Sequence, residues 1–203
     1  MTRVVALDLM DTLVHDPFRE ALRAALGRDW VAVLAERPRD AWPRFERGEL
    51  TEDEFWDVHG GDRVDRAAFD RVRRDGTTWL PGIPELLADL RRAGVPIVVA
   101  TNYPSWIDDV ERRLLDGVVD FVVASCRIGV RKPDPRFYAA VVQAACAVAG
   151  RDVVPSDVVF VDDRDDNVEA ARTAGLHGHL FEGAAGLRAA LVSLDCPVPP
   201  LAG

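Results

Sequence analysis

The sequence predicts an α/β protein: a doubly wound, mostly parallel five-stranded sheet with a small all-helical cap. Three observations lead there. Short apolar, β-branched runs at residues 4–7, 96–100, 118–124 and 158–161 alternate with stretches of helical periodicity. That alternation calls for a parallel sheet covered on both faces. Each run stops at a polar residue: Asp8, Thr101, Ser125 or Asp162. Residues 15–78 hold no such run and are rich in Arg, Asp, Glu and Trp. The expected division is therefore 1–14 for the first strand and its loop, 15–78 for the helical insert, and 79–203 for the rest of the core.

Taken in order, Val4, Val5, Ala6 and Leu7 lie between Arg3 and Asp8, as suits a strand buried on both faces. Asp16-Pro17 can start a helix with Phe18, Leu22, Ala25 and Leu26 on one face. Trp30, Val33 and Leu34 suggest a second helix, and residues 40–45 a third. Thr51 and Glu54 form a capping-box pattern ahead of Phe55, Trp56 and Val58. Residues 64–72 offer a last helix of the insert, with Ala68, Phe69 and Val72 inward.

Leu80-Pro81-Gly82 punctuates the chain, and Pro84 opens a helix striped by Leu86, Leu87 and Leu90 that Gly94 ends. Pro96 is tolerable as the first residue of the second strand. Ser105 is expected to cap a helix through Leu115. The third strand is expected at residues 118–124, and the basic, Gly/Pro-punctuated residues 127–135 read as irregular. Helices follow at 136–149, at 167–174 before Gly175, and at 184–194, with a short fifth strand at 178–181. The Pro-rich tail from Pro197 is expected to fray.

Of 203 residues, 34 are acidic and 25 basic, a formal net charge of -9. That field repels polyanions and argues against a nucleic-acid partner. It leaves room for a small phosphorylated substrate at a site holding a cation. The three cysteines, Cys126, Cys146 and Cys196, have no metal-site spacing and make no disulfide framework. No basic segment followed by a cleavable apolar run opens the chain, and no run approaches membrane-spanning length. The expectation is a soluble, cytoplasmic monomer or homodimer without a membrane partner.

The polar residues that end the strands carry the functional reading. A lone Asp after an apolar run usually ends a strand or caps a turn. Here Asp8–Thr12, Thr101-Asn102, Ser125–Lys132 and Asp162-Asp163 each follow a strand. In a parallel sheet those ends share one edge, where ligands bind. Asp8 and Asp162 can hold Mg²⁺ through oxygen. Asp8 can attack phosphorus. Thr101 and Lys132 can balance charge on the transferring group.

These residues resemble the motifs of the haloacid dehalogenase (HAD) superfamily, in its branch with a small helical cap after the first motif. Asp8-Leu9-Met10-Asp11-Thr12-Leu13 is similar to its first motif, and Thr101-Asn102 to its second. Lys132-Pro133-Asp134-Pro135 is similar to the third, and Asp162-Asp163, with Asn167 and Gly175 downstream, to the fourth. The resemblance implies a Rossmann-like core, a magnesium cofactor and a small-molecule substrate. It implies Asp8 as nucleophile, Thr101 as phosphate-binding hydroxyl with Asn102 beside it, and Lys132 as the charge-stabilising ammonium. It implies Asp162 as metal ligand, Asp163 as auxiliary ligand or orienter of Lys132, and the Met10 carbonyl as a further ligand. Thr12 would brace the loop.

One position departs from that pattern. Phosphatases of the superfamily carry Asp two residues after the nucleophile, where this chain has Met10. A thioether has no proton to give, and losing a general acid/base costs about 10²- to 10⁴-fold. Asp11 can cap the turn or serve as a displaced acid/base. Candidates for a replacement acid in the insert include Asp16, Glu46 and Glu49.

Two other readings stand beside a phosphohydrolase. One is a catalytically silent module that binds a phosphorylated ligand or a protein. The other is a 2-haloacid dehalogenase, with Arg37, Arg44 or Arg47 on the substrate carboxylate. The acidic Asp162-Asp163 pair speaks against the dehalogenase, because uncompensated acids would repel an anionic substrate. Trp30, Trp42, Phe45, Phe55 and Trp56 either line a pocket or form the core of the insert. Tyr103 and Trp106 are placed to touch substrate or the cap. Cys126, His177 and His179 read as structural.

Overall fold

The computed structural model describes residues 3–199. Its sheet has five parallel strands, β1 (Val4–Leu7), β2 (Ile97–Thr101), β3 (Phe121–Ala124), β4 (Val158–Asp162) and β5 (His177–Leu180), in the order β3-β2-β1-β4-β5. The chain winds outward from β1 to β2 and β3, then returns to β4 on the other side of β1. In register, Leu7 lies beside Val99 on one flank and Val161 on the other. Asp8, Thr101 and Asp162 therefore emerge from three adjacent strands at one edge. That reversal of winding opens a crevice at the strands' C-terminal ends.

Five helices follow β1: α1 (Phe18–Leu26), α2 (Trp30–Glu36), α3 (Ala41–Glu46), α4 (Glu52–Val58) and α5 (Arg66–Gly76). The rest of the chain supplies α6 (Ile83–Arg92), α7 (Ile107–Val110), α8 (Ser125–Ile128), α9 (Pro135–Ala149), α10 (Asp165–Thr173) and α11 (Ala184–Ser193). Alternate residues of β1 point to opposite faces. Val5 and Leu7 pack with Leu86, Leu90, Leu187 and Leu191 of α6 and α11. Val4 and Ala6 pack with Phe137, Tyr138 and Val141 of α9. Two-sided burial explains why these strands are apolar without alternation.

The helical stretch is built on rings. Phe45 and Phe55 stack at 4.2 Å between centroids, and Trp106 of the core meets Phe45 edge-on at 5.0 Å. The Thr51–Glu54 capping box forms as expected. Its two connections to the core run side by side: His15 N donates to Thr78 O at 2.9 Å, and Leu80 N to Leu13 O at 2.9 Å. A third contact lies at α8, where Ser125 Oγ donates to the Glu46 carbonyl at 2.5 Å. Gly48 has φ +70, and a Cβ there would sit 2.6 Å from the Cys126 carbonyl oxygen. Only glycine fits that approach.

Several local expectations are corrected. The third strand starts at Phe121 rather than 118. Val118 and Val119 instead close the preceding turn onto the Leu115 carbonyl, and Asp120 accepts from Ile97 N at 2.8 Å. The helix expected from Ser105 is α7 plus a π-helical turn, Glu111–Leu115, with no side-chain cap. Residues 125–128, partly read as irregular, form α8 and stop at Gly129 with φ +71. The fifth strand begins one residue early, at His177. The tail does not fray through Pro199: Val198 is buried, and Arg188 Nη1 donates to the Pro199 carbonyl at 2.7 Å. The end of the chain, 200–203, lies outside the described residues.

His59 ties the helices together and carries a pH prediction. It is fully buried. Its Nδ1 donates to the Phe55 carbonyl at 2.8 Å, and its Nε2 accepts from Arg37 Nη1 at 3.0 Å. Burial, with Arg37 beside it, pulls its pKa from 6.5 to about 4, against the Phe55 carbonyl. The unfolded chain therefore takes up the proton first as pH falls. Stability from neutral His59 is present above pH 6.5 and is lost on the way down to about 4. Melting temperature is expected to fall between pH 7 and 5, with a shallower slope in His59→Gln; equal slopes would contradict this.

Candidate active site

Lys132 is the centre of the site. Its Nζ donates to Asp8 Oδ1 at 2.7 Å, Asp162 Oδ2 at 2.6 Å and the Ala100 carbonyl at 2.8 Å. All three acceptors come from residues at the C-terminal ends of β1, β2 and β4. The Lys132 backbone is held separately: its N–H donates to Asn102 Oδ1 at 2.8 Å, and Asn102 Nδ2 donates to its carbonyl at 3.0 Å. Asp162 lies fully buried below, its Oδ1 accepting from Asn167 Nδ2 at 2.9 Å and from Arg164 N at 3.0 Å.

The charges are coupled. Burial, opposed by the Lys132 ammonium and reinforced by Asp162, lifts the Asp8 carboxyl to about 7. Burial pulls the Lys132 ammonium down, but Asp8 and Asp162 outweigh it and hold it above its ordinary value. Two acids with one ammonium leave excess negative charge in a desolvated place, an arrangement a further cation relieves. Asp163 adds to it, its own carboxyl raised by burial and by Asp162.

The donor set fits a hard divalent cation. One carboxylate oxygen each from Asp8, Asp162 and Asp163 lie within 4.8 Å of one another. Oxygen-only ligation suits Mg²⁺. The Met10 carbonyl is in the same loop, and no backbone N–H of the described residues claims it.

Above these residues opens a cavity of about 680 Å³. Asp8, Met10, Asp11, Thr101, Asn102, Tyr103, Lys132 and Asp163 all line it, while Asp162 sits beneath. Asp11 adopts φ +53, its side chain is 55% exposed, and its Oδ1 accepts from Asp16 N at 3.1 Å. Thr12 is buried with an unpartnered hydroxyl, so it braces nothing by hydrogen bonding. Of the acids of the insert, Asp16 and Glu46 reach the cavity; Glu49 lies outside it, paired with Arg47 at 2.6 Å.

The arginines considered for a carboxylate substrate are elsewhere. Arg37 is on His59, and Arg44 and Arg47 are on Glu49. Arg19, Arg131 and Arg164 line the cavity instead. Arg131 was legible as part of the basic loop before Lys132; Arg19 and Arg164 carried no signal of their own. Arg131 Nε lies 2.7 Å from Glu46 Oε2, a charge pair not aligned as a hydrogen bond. Of the aromatic residues, Trp42 and Tyr103 line the cavity. Phe45, Phe55 and Trp56 are core, and Trp106 packs on the rings of the insert rather than facing the cavity. Trp30 lies under Arg23, 5.5 Å from its guanidinium. Burial keeps the Cys126 thiol protonated, and His177 and His179 sit half-buried in β5.

Residues 2–175 match the haloacid dehalogenase-like hydrolases. The chain belongs to that family. Among its relatives, flavin mononucleotide hydrolase 1 of Arabidopsis thaliana, a chloroplast protein, is 34% identical over 98% of this chain and 80% of its own length. A phosphatase of Mycobacterium tuberculosis is 32% identical over 58% of this chain and 54% of its own. A HAD family enzyme from Bacteroides thetaiotaomicron, solved with magnesium and inorganic phosphate, superposes with a TM-score of 0.71 at 17% identity. That alignment covers 90% of this chain and 95% of the other. The doubly wound fold and the family are thus those the motifs implied. No helix among the described residues is long and apolar enough to cross a membrane.

Proposed function

We propose that this HAD-like hydrolase is a magnesium-dependent phosphohydrolase of a small phosphorylated metabolite, working through an aspartyl phosphate on Asp8. The observation that carries the reading is the Lys132 ammonium held between Asp8 and Asp162. Asp8 is a nucleophile pointed into the cavity. Lys132 steadies it and takes up charge on the phosphoryl oxygens as the bond forms. The Thr101 hydroxyl and Asn102 orient the phosphoryl group. Asp8, Asp162, Asp163 and the Met10 carbonyl would hold magnesium, which would neutralise phosphate charge.

In this reading residues 15–78 act as a cap over the cavity, and Trp42 gives the leaving group a flat apolar surface. The riboflavin that leaves from flavin mononucleotide suits that surface, and the relative named for that activity makes flavin mononucleotide the first substrate to try. The acidic cluster around Asp8 favours phosphate over halide chemistry.

Phosphate release from flavin mononucleotide, p-nitrophenyl phosphate and acetyl phosphate tests the proposal. Release is expected with millimolar magnesium and is expected to vanish in EDTA. Binding without turnover of any ester would favour the silent module. Metal-independent chloride release from 2-chloropropionate would favour the dehalogenase.

A further inference from the structure

Breaking a phosphoester of an alcohol requires a proton for the departing oxygen, and hydrolysing the phosphoenzyme requires a base for water. Met10 supplies neither. Six carboxyl groups line the cavity: Asp8, Asp11, Asp16, Glu46, Asp163 and Asp166. Five have other engagements. Asp8 forms the bond to phosphorus, and Asp163 belongs to the cation cluster. Glu46 faces Arg131 at 2.7 Å, and Asp166 is bound by Arg164 at 2.8 Å. Asp11 is more than half exposed and accepts from Asp16 N.

We infer that Asp16 is the residue that gives the proton to the leaving oxygen and takes one from the attacking water. The inference rests on the phosphohydrolase reading. Asp16 makes no ion pair with Lys or Arg among the described residues. Its Oδ1 accepts from Phe18 N at 3.0 Å, and no hydrogen bond from the described residues is made to Oδ2. The main chain around it is fixed, with Asp16 N on Asp11 Oδ1 and His15 N on Thr78 O.

Around it stand Asp11, His15 and Glu20 from its own stretch. Tyr103 faces it from the loop after β2, next to Arg73 of α5. Burial, with Asp11 and Glu20 beside it, raises its carboxyl above the ordinary range against the Phe18 N–H and His15. That is the direction a proton-donating carboxyl requires.

The step balances. Asp8 Oδ bonds phosphorus as the bond from phosphorus to the ester oxygen breaks, and the Asp16 proton goes to that oxygen. Water then attacks the phosphorus of the aspartyl phosphate, and Asp16 takes its proton. Asp8 is restored, and the products are the alcohol and inorganic phosphate.

Asp16→Asn keeps the acceptor for Phe18 N and removes the proton; Asp16→Ser does the same with a different side chain. Rapid-mix kinetics with p-nitrophenyl phosphate reads the two steps apart, because nitrophenolate leaves without a proton. Both variants are expected to keep a burst of about one nitrophenolate per site and to turn over about 10²-fold more slowly afterwards. With glycerol phosphate the first step is expected to slow as well, and Asp16→Glu to recover part of both.

Unchanged turnover in a folded variant would overturn the role of Asp16 and leave the phosphohydrolase reading standing. Equal loss of burst and turnover on both esters, with a lowered melting temperature, would also overturn it, as a purely structural part. No phosphate release by the unaltered protein would sink the phosphohydrolase reading itself.

Discussion

Asp8→Asn is expected to lose at least ~10⁴-fold in magnesium-dependent phosphate release, the scale seen when a covalent nucleophile is removed. The argument is local. An amide oxygen is a far poorer nucleophile than a carboxylate and forms no acyl phosphate. The amide keeps the shape of the side chain, and its oxygen still accepts from Lys132 Nζ, now 2.7 Å away. The fold should therefore survive, and far-UV circular dichroism should match the parent. Substrate binding without turnover, read by equilibrium dialysis with flavin mononucleotide, is the companion result. Activity within tenfold of the parent would mean that another group attacks phosphorus.

The second large effect is on stability. Lys132→Ala removes the ammonium between Asp8 and Asp162, leaving two buried carboxylates facing each other. Breaking a buried pair by deleting one partner costs about 3–5 kcal/mol, because the remaining charge is uncompensated. Melting temperature in EDTA is expected to drop accordingly. Millimolar magnesium is expected to raise it more in the variant than in the parent, since a cation between the carboxylates replaces the lost charge. Thermal melts with and without magnesium decide it. A variant melting with the parent in EDTA would show that the pair contributes nothing net.

The buried strands were legible because two-sided burial leaves apolar runs that end at the residues of the site. The apolar pattern overstates strand β3, because Val118 and Val119 continue it while their N–H groups close a turn. Composition cannot distinguish those uses. Parallel topology brings Asp8, Thr101 and Asp163 to one edge, whereas Lys132, beyond α8, is held there by Asn102 on its main chain. What could not be read was pairing across elements. That Glu46 meets Arg131, and that Gly48 rests against Cys126, depends on how the helices dock, which no local spacing encodes. The partners of the insert's arginines depend on the same docking: Arg37 turns to a buried histidine, and Arg44 and Arg47 to Glu49.

Asn102 fixes the main chain of Lys132 at both its N–H and its carbonyl, independently of the ammonium's own partners. The ammonium can thus let go of one oxygen and take another by rotating its four-carbon stem while the peptide stays still. Exchanging a carboxylate for an incoming anion then needs only side-chain torsions and no loop rearrangement. The lysine works as a swivel on a fixed mount.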